Sequence, residues 1–214
     1  MKLVLASASP RRREILEAHG YTPIVLPSEA DETLPEGAAF SPEETAMYLA
    51  ERKADAVAKL LLASPPPEAA GGDLLVLGVD TIVFRGRIIG KPKDEQDALA
   101  ILRSLANGKH AVISGVCAIE IAGAPEVGGL AGRGIGNIIQ KKSVFYDTTL
   151  VTFDGYTDAD ILAYVRANPP YDKSGSYAIQ SDWGRHAVEV CGSVENVIGF
   201  PFEKIEPYLA GVRG

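Results

Sequence analysis

The sequence predicts a mixed α/β fold, a sheet of parallel and antiparallel strands flanked by helices. Three observations predict it. Short apolar runs alternate with amphipathic helical stretches through the first half of the chain, the pattern of an α/β sheet. Arg85-Gly86-Arg87 joins two strand-like runs and reads as a hairpin turn. Two long runs with β preference, about residues 110–121 and 138–153, follow one another, which fits a mixed sheet better than a purely parallel one.

At 214 residues the chain suits one large domain or two small lobes. Its 46% hydrophobic content supports a core, and 23% charged residues is ordinary. A net charge of −7 argues against bulk nucleic-acid binding, which usually needs a basic face. A local basic pocket for a small anion is compatible with it. Cys117 and Cys191 each lie in an apolar run and are expected to be buried free thiols. The N-terminus has no apolar stretch of the signal-peptide kind. No apolar run approaches the roughly 18 residues of a membrane span. A soluble protein of a reducing compartment, the cytoplasm, is the expectation.

In order, Leu3 to Ala6 read as a buried strand, and Ser7-Ala8-Ser9 as a turn of small residues. Ser9 is suited to an N-cap and Pro10 to the first helical position; His19 and Gly20 suit the helix end. Arg11, Arg12 and Arg13 then fall in the first helical turn. That end carries about +0.5 charge, so cations there are misplaced by roughly 0.3–1 kcal/mol each. They make sense around a bound anion, with Ser7, Ser9, Arg11 and Arg12 as the pocket. The alternative is a solvated basic helix start. No GxxxxGK[ST] loop is present.

Residues 22–26 read as a second strand, followed by an acidic loop holding Asp31 and Glu32, a solvated loop or a source of metal-binding carboxylates. Ser41-Pro42-Glu43-Glu44 is a capping box opening a helix to about residue 62. Its expected stripe is Ala46, Leu49, Ala50, Val57 and Leu60. Lys53 falls on that stripe, so it either snorkels to solvent or enters a pocket that needs a cation. Residues 64–72, rich in proline and glycine, read as a connector.

Leu74 to Val79 is an apolar strand followed at once by Asp80-Thr81. An aspartate inside such a run is costly unless hydrogen-bonded, paired or metal-bound. Its placement at a strand end suits a functional group. Gly90-Lys91-Pro92 ends the return strand with another cation. A helix over 94–106 turns Ala98, Ile101, Leu102 and Leu105 inward, and His110 is a packing or hydrogen-bonding residue. The glycine-rich segment 123–137 lacks the GxGxxG spacing and reads as a mobile loop. Thr157 opens a helix with Ile161, Leu162 and Val165 inward. Residues 171–180, containing Asp172, Lys173 and Gln180, look like a binding loop. Residues 187–191 form a strand, and 202–209 a closing helix.

Six stretches now stand in order: SASPRRREIL at 7–16, Asp31-Glu32, Lys53-Ala54, Asp80-Thr81, Gly90-Lys91-Pro92 and DKSGSYAIQ at 172–180. Together they resemble the Maf family, the septum-formation-inhibitor-like nucleoside triphosphate pyrophosphatases, over nearly the whole chain. The resemblance implies a single domain over 1–214, with an elongated fold like the inosine triphosphate pyrophosphatases and a central cleft between two lobes. It implies hydrolysis of a nucleoside triphosphate to the monophosphate and pyrophosphate. Asp80 matches the catalytic base; Ser7, Arg12, Lys53 and Lys91 match phosphate-holding positions; Glu32 matches a carboxylate near a divalent metal, Mg²⁺ or Mn²⁺, which Asp80 also suits as a ligand. Arg11, Thr81 and Gln180 match specificity positions. Pro10-Arg11-Arg12, Asp80-Thr81 and Ile179-Gln180 are similar to the branch acting on dTTP and UTP. Ser174, Asn107 and Phe200 depart from the usual alanine, serine and leucine, and 123–137 looks inserted. A nucleoside triphosphate is the expected partner, nucleic acid and membrane are not, and a homodimer stays open. A non-catalytic nucleotide or nucleic-acid binder regulating cell division would use the same pocket, but pure phosphate binding has no use for Asp80.

Overall fold

The computed structural model describes residues 1–125 and 139–212. Strands β1 (Lys2–Leu5), β2 (Ile24–Val25), β3 (Gly72–Phe84), β4 (Ile88–Ile89), β5 (Gly108–Ala124), β6 (Ile139–Phe153) and β7 (Ala187–Cys191) form one sheet. Its order is β2-β1-β3-β5-β6-β7, with β4 paired to β3. Helices α1 (Pro10–Ala18), α2 (Pro42–Ala63), α3 (Glu95–Leu105), α4 (Asp158–Ala167), α5 (Val194–Ile198) and α6 (Phe202–Ile205) complete it. β1 runs parallel to β2 and β3, while β4 and β7 run antiparallel to β3 and β6. The sheet is therefore mixed, as expected. No helix among the described residues is long and apolar enough to cross a membrane.

The chain divides into two compact units, 1–80 with 115–146 and 202–214, and 81–114 with 147–201. The first has an aliphatic core: Val4 and Ala6, then Ala50, Ala54, Val57 and Leu61 of α2, with Leu74, Val76, Ile119 and Ile121. α2 starts at the expected capping box, Ser41 Oγ accepting from Glu44 N and the Glu44 carboxylate accepting from Ser41 N. Small side chains face the sheet from this helix because the sheet itself presents glycine. A Cβ on Gly78 would lie 2.3 Å from the Ala50 carbonyl oxygen, and one on Gly115 would lie 2.2 Å from that of Ala46. α2 thus rests closer to β3 and β5 than side chains would permit. Residues two apart on a strand share a face, so Asp80 lies on the same face as Gly78, toward α2.

The second unit has a more aromatic core. Ala98, Ile101, Leu102 and Leu105 of α3 meet Phe153, Ile161, Tyr164, Val165, Tyr177 and Trp183. α3 and α4 are also joined at the surface by Arg103–Asp158 and Arg166–Glu95 ion pairs, exposed pairs that water and salt screen and that add little to stability. His110 is buried, with Nε2 against the Tyr177 hydroxyl at 2.8 Å. Burial first, and the charge of Arg85 second, push its pKa down to about 4. It is therefore a neutral packing and hydrogen-bonding residue.

Several local expectations need correction. The second strand covers only Ile24–Val25; Pro23 has no N–H to add to a ladder. In α2, Leu61 is buried and Leu60 is 50% exposed, because the stripe 46-50-54-57-61 advances by fours and a three. In α4, Tyr164 is buried where Leu162 was expected to be. The closing helix is short, α6 passing into a 3₁₀ turn over Glu206–Gly211, where Pro207 cannot donate to an α-helical bond. Cys117 is buried but Cys191 is exposed, at the end of strand β7, the edge strand of the sheet among the described residues. Both thiols are free. The glycine-rich loop lies, from residue 126 on, outside the described residues.

Two outcomes are expected. Gly78→Ala lowers stability by about 1–3 kcal/mol in urea denaturation, since the added methyl meets helix backbone. Gly90→Ala, whose Cβ meets nothing within 4 Å, stays within about 0.5 kcal/mol. His110 sets a pH dependence. Its folded pKa of about 4 lies below the unfolded 6.5, so its contribution is complete above pH 6.5 and is lost as pH falls toward 4. Between pH 7 and 5 the loss is roughly 2 kcal/mol. His110→Gln removes that part of the acid sensitivity, measured as a smaller drop in unfolding free energy over the same range.

Candidate active site

The ends of β1 and β3 begin the site. Leu5 pairs with Leu77 in parallel register, and Ala6 N donates to the Leu77 carbonyl at 2.8 Å. Ser7 leaves β1 buried beside this ladder, and Val79 and Asp80 continue β3. Pro10 starts α1 with Ser9 in extended conformation at the N-cap position, but the Ser9 hydroxyl makes no capping bond. Instead Ser9 N donates to Ser7 Oγ at 3.2 Å.

The three arginines of α1 part company. Arg13 faces solvent and pairs with Glu17 at 2.7 Å, an ordinary i,i+4 contact. Arg12 turns inward: its Nη1 donates to Ser7 Oγ at 2.9 Å and to the Val79 carbonyl at 2.7 Å. Burial lowers the Arg12 pKa, Asp80 opposes that, Arg11 adds to the lowering and Glu32 opposes it. Arg11 is half-buried.

Lys53 completes the group from α2. Its ammonium meets Asp80 Oδ1 at 2.5 Å and Glu32 Oε1 at 3.0 Å. The Lys53 and Asp80 side chains are only 14% and 12% exposed, so the lysine does not snorkel to solvent; Glu32, from the loop after β2, is 55% exposed. Ser7, Arg12, Lys53, Glu32 and Asp80 are thus gathered on the first unit. This arrangement offers cations for an anionic oxygen and a carboxylate for a proton, side by side. Among the described residues no cluster of three or more His, Cys, Asp or Glu is fit to cage a metal. The Glu32 and Asp80 carboxylates that converge on one ammonium are oxygen donors of the type a hard divalent cation takes.

The other expected residues lie on the second unit. Thr81 Oγ1 is 2.9 Å from Ser114 Oγ and 3.4 Å from the Gly199 carbonyl. The loop over 171–180 is fastened here: Ser174 Oγ donates to the Thr81 carbonyl at 3.3 Å and Gly175 N to the Gly90 carbonyl at 3.2 Å. Gly175 and Ser176 have φ of 77° and 62°, a left-handed pair whose serine member carries strain held by the surrounding contacts. Lys91, next to Gly90, is exposed, as is Gln180. Lys173 pairs with Asp172 at 2.5 Å. Thr81, the segment at Gly90-Lys91 and the start of the loop are therefore brought together.

Two groups escaped the sequence reading. The Val79 carbonyl, which orients Arg12, carries no residue-type signal. Ser114 did carry one, since a hydroxyl inside a buried apolar strand needs a partner.

The family model described as Maf-like protein matches residues 2–212 of this chain. A Desulfitobacterium hafniense (strain Y51) protein named dTTP/UTP pyrophosphatase is 37% identical over 209 residues, covering 97% of this chain and 84% of its own. One of the same name from Agathobacter rectalis is 34% identical over 208 residues, covering 95% and 94%. Another, from Bacillus thuringiensis subsp. konkukian, is 36% identical over 205 residues, covering 95% and 92%. Among solved structures, the Staphylococcus aureus Ham1 protein covers 88% of this chain and 94% of its own at 16% identity and a TM-score of 0.40, a likeness too slight to argue from.

Proposed function

The chain belongs to the Maf-like protein family, and from that premise we propose that it is a nucleoside triphosphate pyrophosphatase, a hydrolase releasing pyrophosphate from dTTP or UTP. The relatives named dTTP/UTP pyrophosphatase support the substrate class. The observation that carries the chemistry is the Lys53 ammonium between Asp80 and Glu32, with Arg12 oriented alongside by Ser7 and Val79.

In this reading Arg12, Lys53 and the N–H groups at the start of α1 hold the polyphosphate. They also offset the charge that develops on the departing pyrophosphate. Asp80 orients the attacking water and takes its proton. A bond forms from water oxygen to the α-phosphorus as the bond from that phosphorus to the bridging oxygen breaks. Glu32 and Asp80 are the residues that would hold Mg²⁺ or Mn²⁺, which when bound would neutralise phosphate charge and polarise the reacting group. Ser9 and Arg11 at the start of α1, and Thr81, Lys91, Asp172, Lys173 and Gln180, are assigned to substrate binding on the sequence reading and the motif match.

A panel of canonical and modified nucleotides with Mg²⁺, scored separately for pyrophosphate and orthophosphate, tests this. Pyrophosphate and monophosphate in equal amounts, fastest from dTTP or UTP, are expected. Asp80→Asn is expected to lower kcat by about 10²–10⁴-fold while thermal unfolding stays cooperative. Orthophosphate as the product would refute the bond assignment, and a fully active Asp80→Asn would refute the base. Tight nucleotide binding without turnover would replace the enzyme by a binding protein.

A further inference from the structure

Glu32 stands on a loop of some fifteen residues between β2 and α2 that has no secondary structure of its own, yet its carboxylate meets Lys53 at 3.0 Å. Something must hold the loop there. The contacts converge on one ridge of α2. Arg52 Nε donates to the carbonyl of Asp31 at 2.7 Å, the residue directly before Glu32. Arg52 Nη1 is anchored on the Tyr48 hydroxyl at 3.2 Å, and its guanidinium lies 5.6 Å from the Tyr48 ring centre. Tyr48 and Arg52 are four apart and so share a helix face. The same Tyr48 ring meets Phe40, near the loop's far end, with ring centres 5.4 Å apart. Asp31 in turn closes a tight turn by accepting from Thr33 N at 2.9 Å, which leaves Glu32 at the turn's apex.

We propose that Arg52 is a positioning residue: by holding the Asp31 carbonyl, with Tyr48 as its brace, it sets the Glu32 carboxylate against Lys53. This rests on the function proposed above. Two donors of one planar fork are used at a fixed angle, which a lysine ammonium cannot reproduce. Arg52 and Lys53 are consecutive, so the same stretch of α2 presents the cation and fixes the acid that meets it. Residues that orient an active group commonly change activity by 10–100-fold when removed.

The test compares wild type with Arg52→Met, Arg52→Lys, Glu32→Gln and the double variant Arg52→Met/Glu32→Gln, in turnover and in amide hydrogen exchange. Arg52→Met is expected to lower kcat/KM by about 10-fold, with Arg52→Lys intermediate. In the Glu32→Gln background Arg52→Met should cost less than about twofold, because the two act as one unit. A further 10-fold loss in that background, or no loss in the single variant, would overturn the proposal. Exchange at residues 31–34 is expected to quicken in Arg52→Met and not in Glu32→Gln. If wild type turns over no nucleotide, the proposed function has failed, and this second measurement decides the positioning role by itself: unchanged exchange in Arg52→Met would end it.

Discussion

The ion pair between Lys53 and Asp80 is the contact on which the rest of the site depends. An aspartate within a buried β-strand is expensive unless a partner is at hand, and here the partner is 2.5 Å away. That distance is a consequence of packing. Gly78 and Gly115 let α2 settle onto the sheet through Ala46, Ala50 and Ala54, and Lys53 is carried down with the helix. The same small-residue interface therefore builds the first unit's core and sets the charge geometry. Removing either charge would leave the other poorly solvated, which costs more than losing an exposed pair.

Arg12 follows the same logic from the start of α1. A cation at a helix N-terminus is unfavourable by itself. Its guanidinium is turned onto a hydroxyl and a strand carbonyl, and the two nearby carboxylates act against the loss of solvation. These positive groups are thus held in fixed directions by the protein itself. Such preorganisation is what makes electrostatic stabilisation effective, because the groups need not reorganise when charge develops. The acidic net charge of the chain is no obstacle, since the potential that matters is local.

The second unit reaches order differently. Its core is built on rings, with Trp183, Tyr156, Tyr164 and His186 in mutual edge or tilted contact, and its loop over 171–180 is sewn to the backbone of Thr81 and Gly90. Tyr177 also ties the loop to the core, its ring buried and its hydroxyl against His110. The strained Ser176 is a sign that the anchoring contacts outweigh a local conformational cost.

Much was legible in the chain alone. The alternation of elements, the capping box at Ser41, the helix start at Thr157, the inward stripe of α3 and the hairpin at Gly86 all follow from periodicity and short-range hydrogen bonding, which sequence spacing encodes directly. The unease of Asp80 in an apolar run and of Lys53 on an apolar stripe was legible too, as two unsolved desolvation problems. That each solves the other was not, because 27 residues separate them and only the glycine-permitted descent of α2 brings them together. Which of Arg11, Arg12 and Arg13 turns inward, the exposure of Cys191 and the hold of Arg52 on the Glu32 loop were likewise decided in three dimensions. They depend on backbone carbonyls and sheet neighbours, which have no residue-type signature.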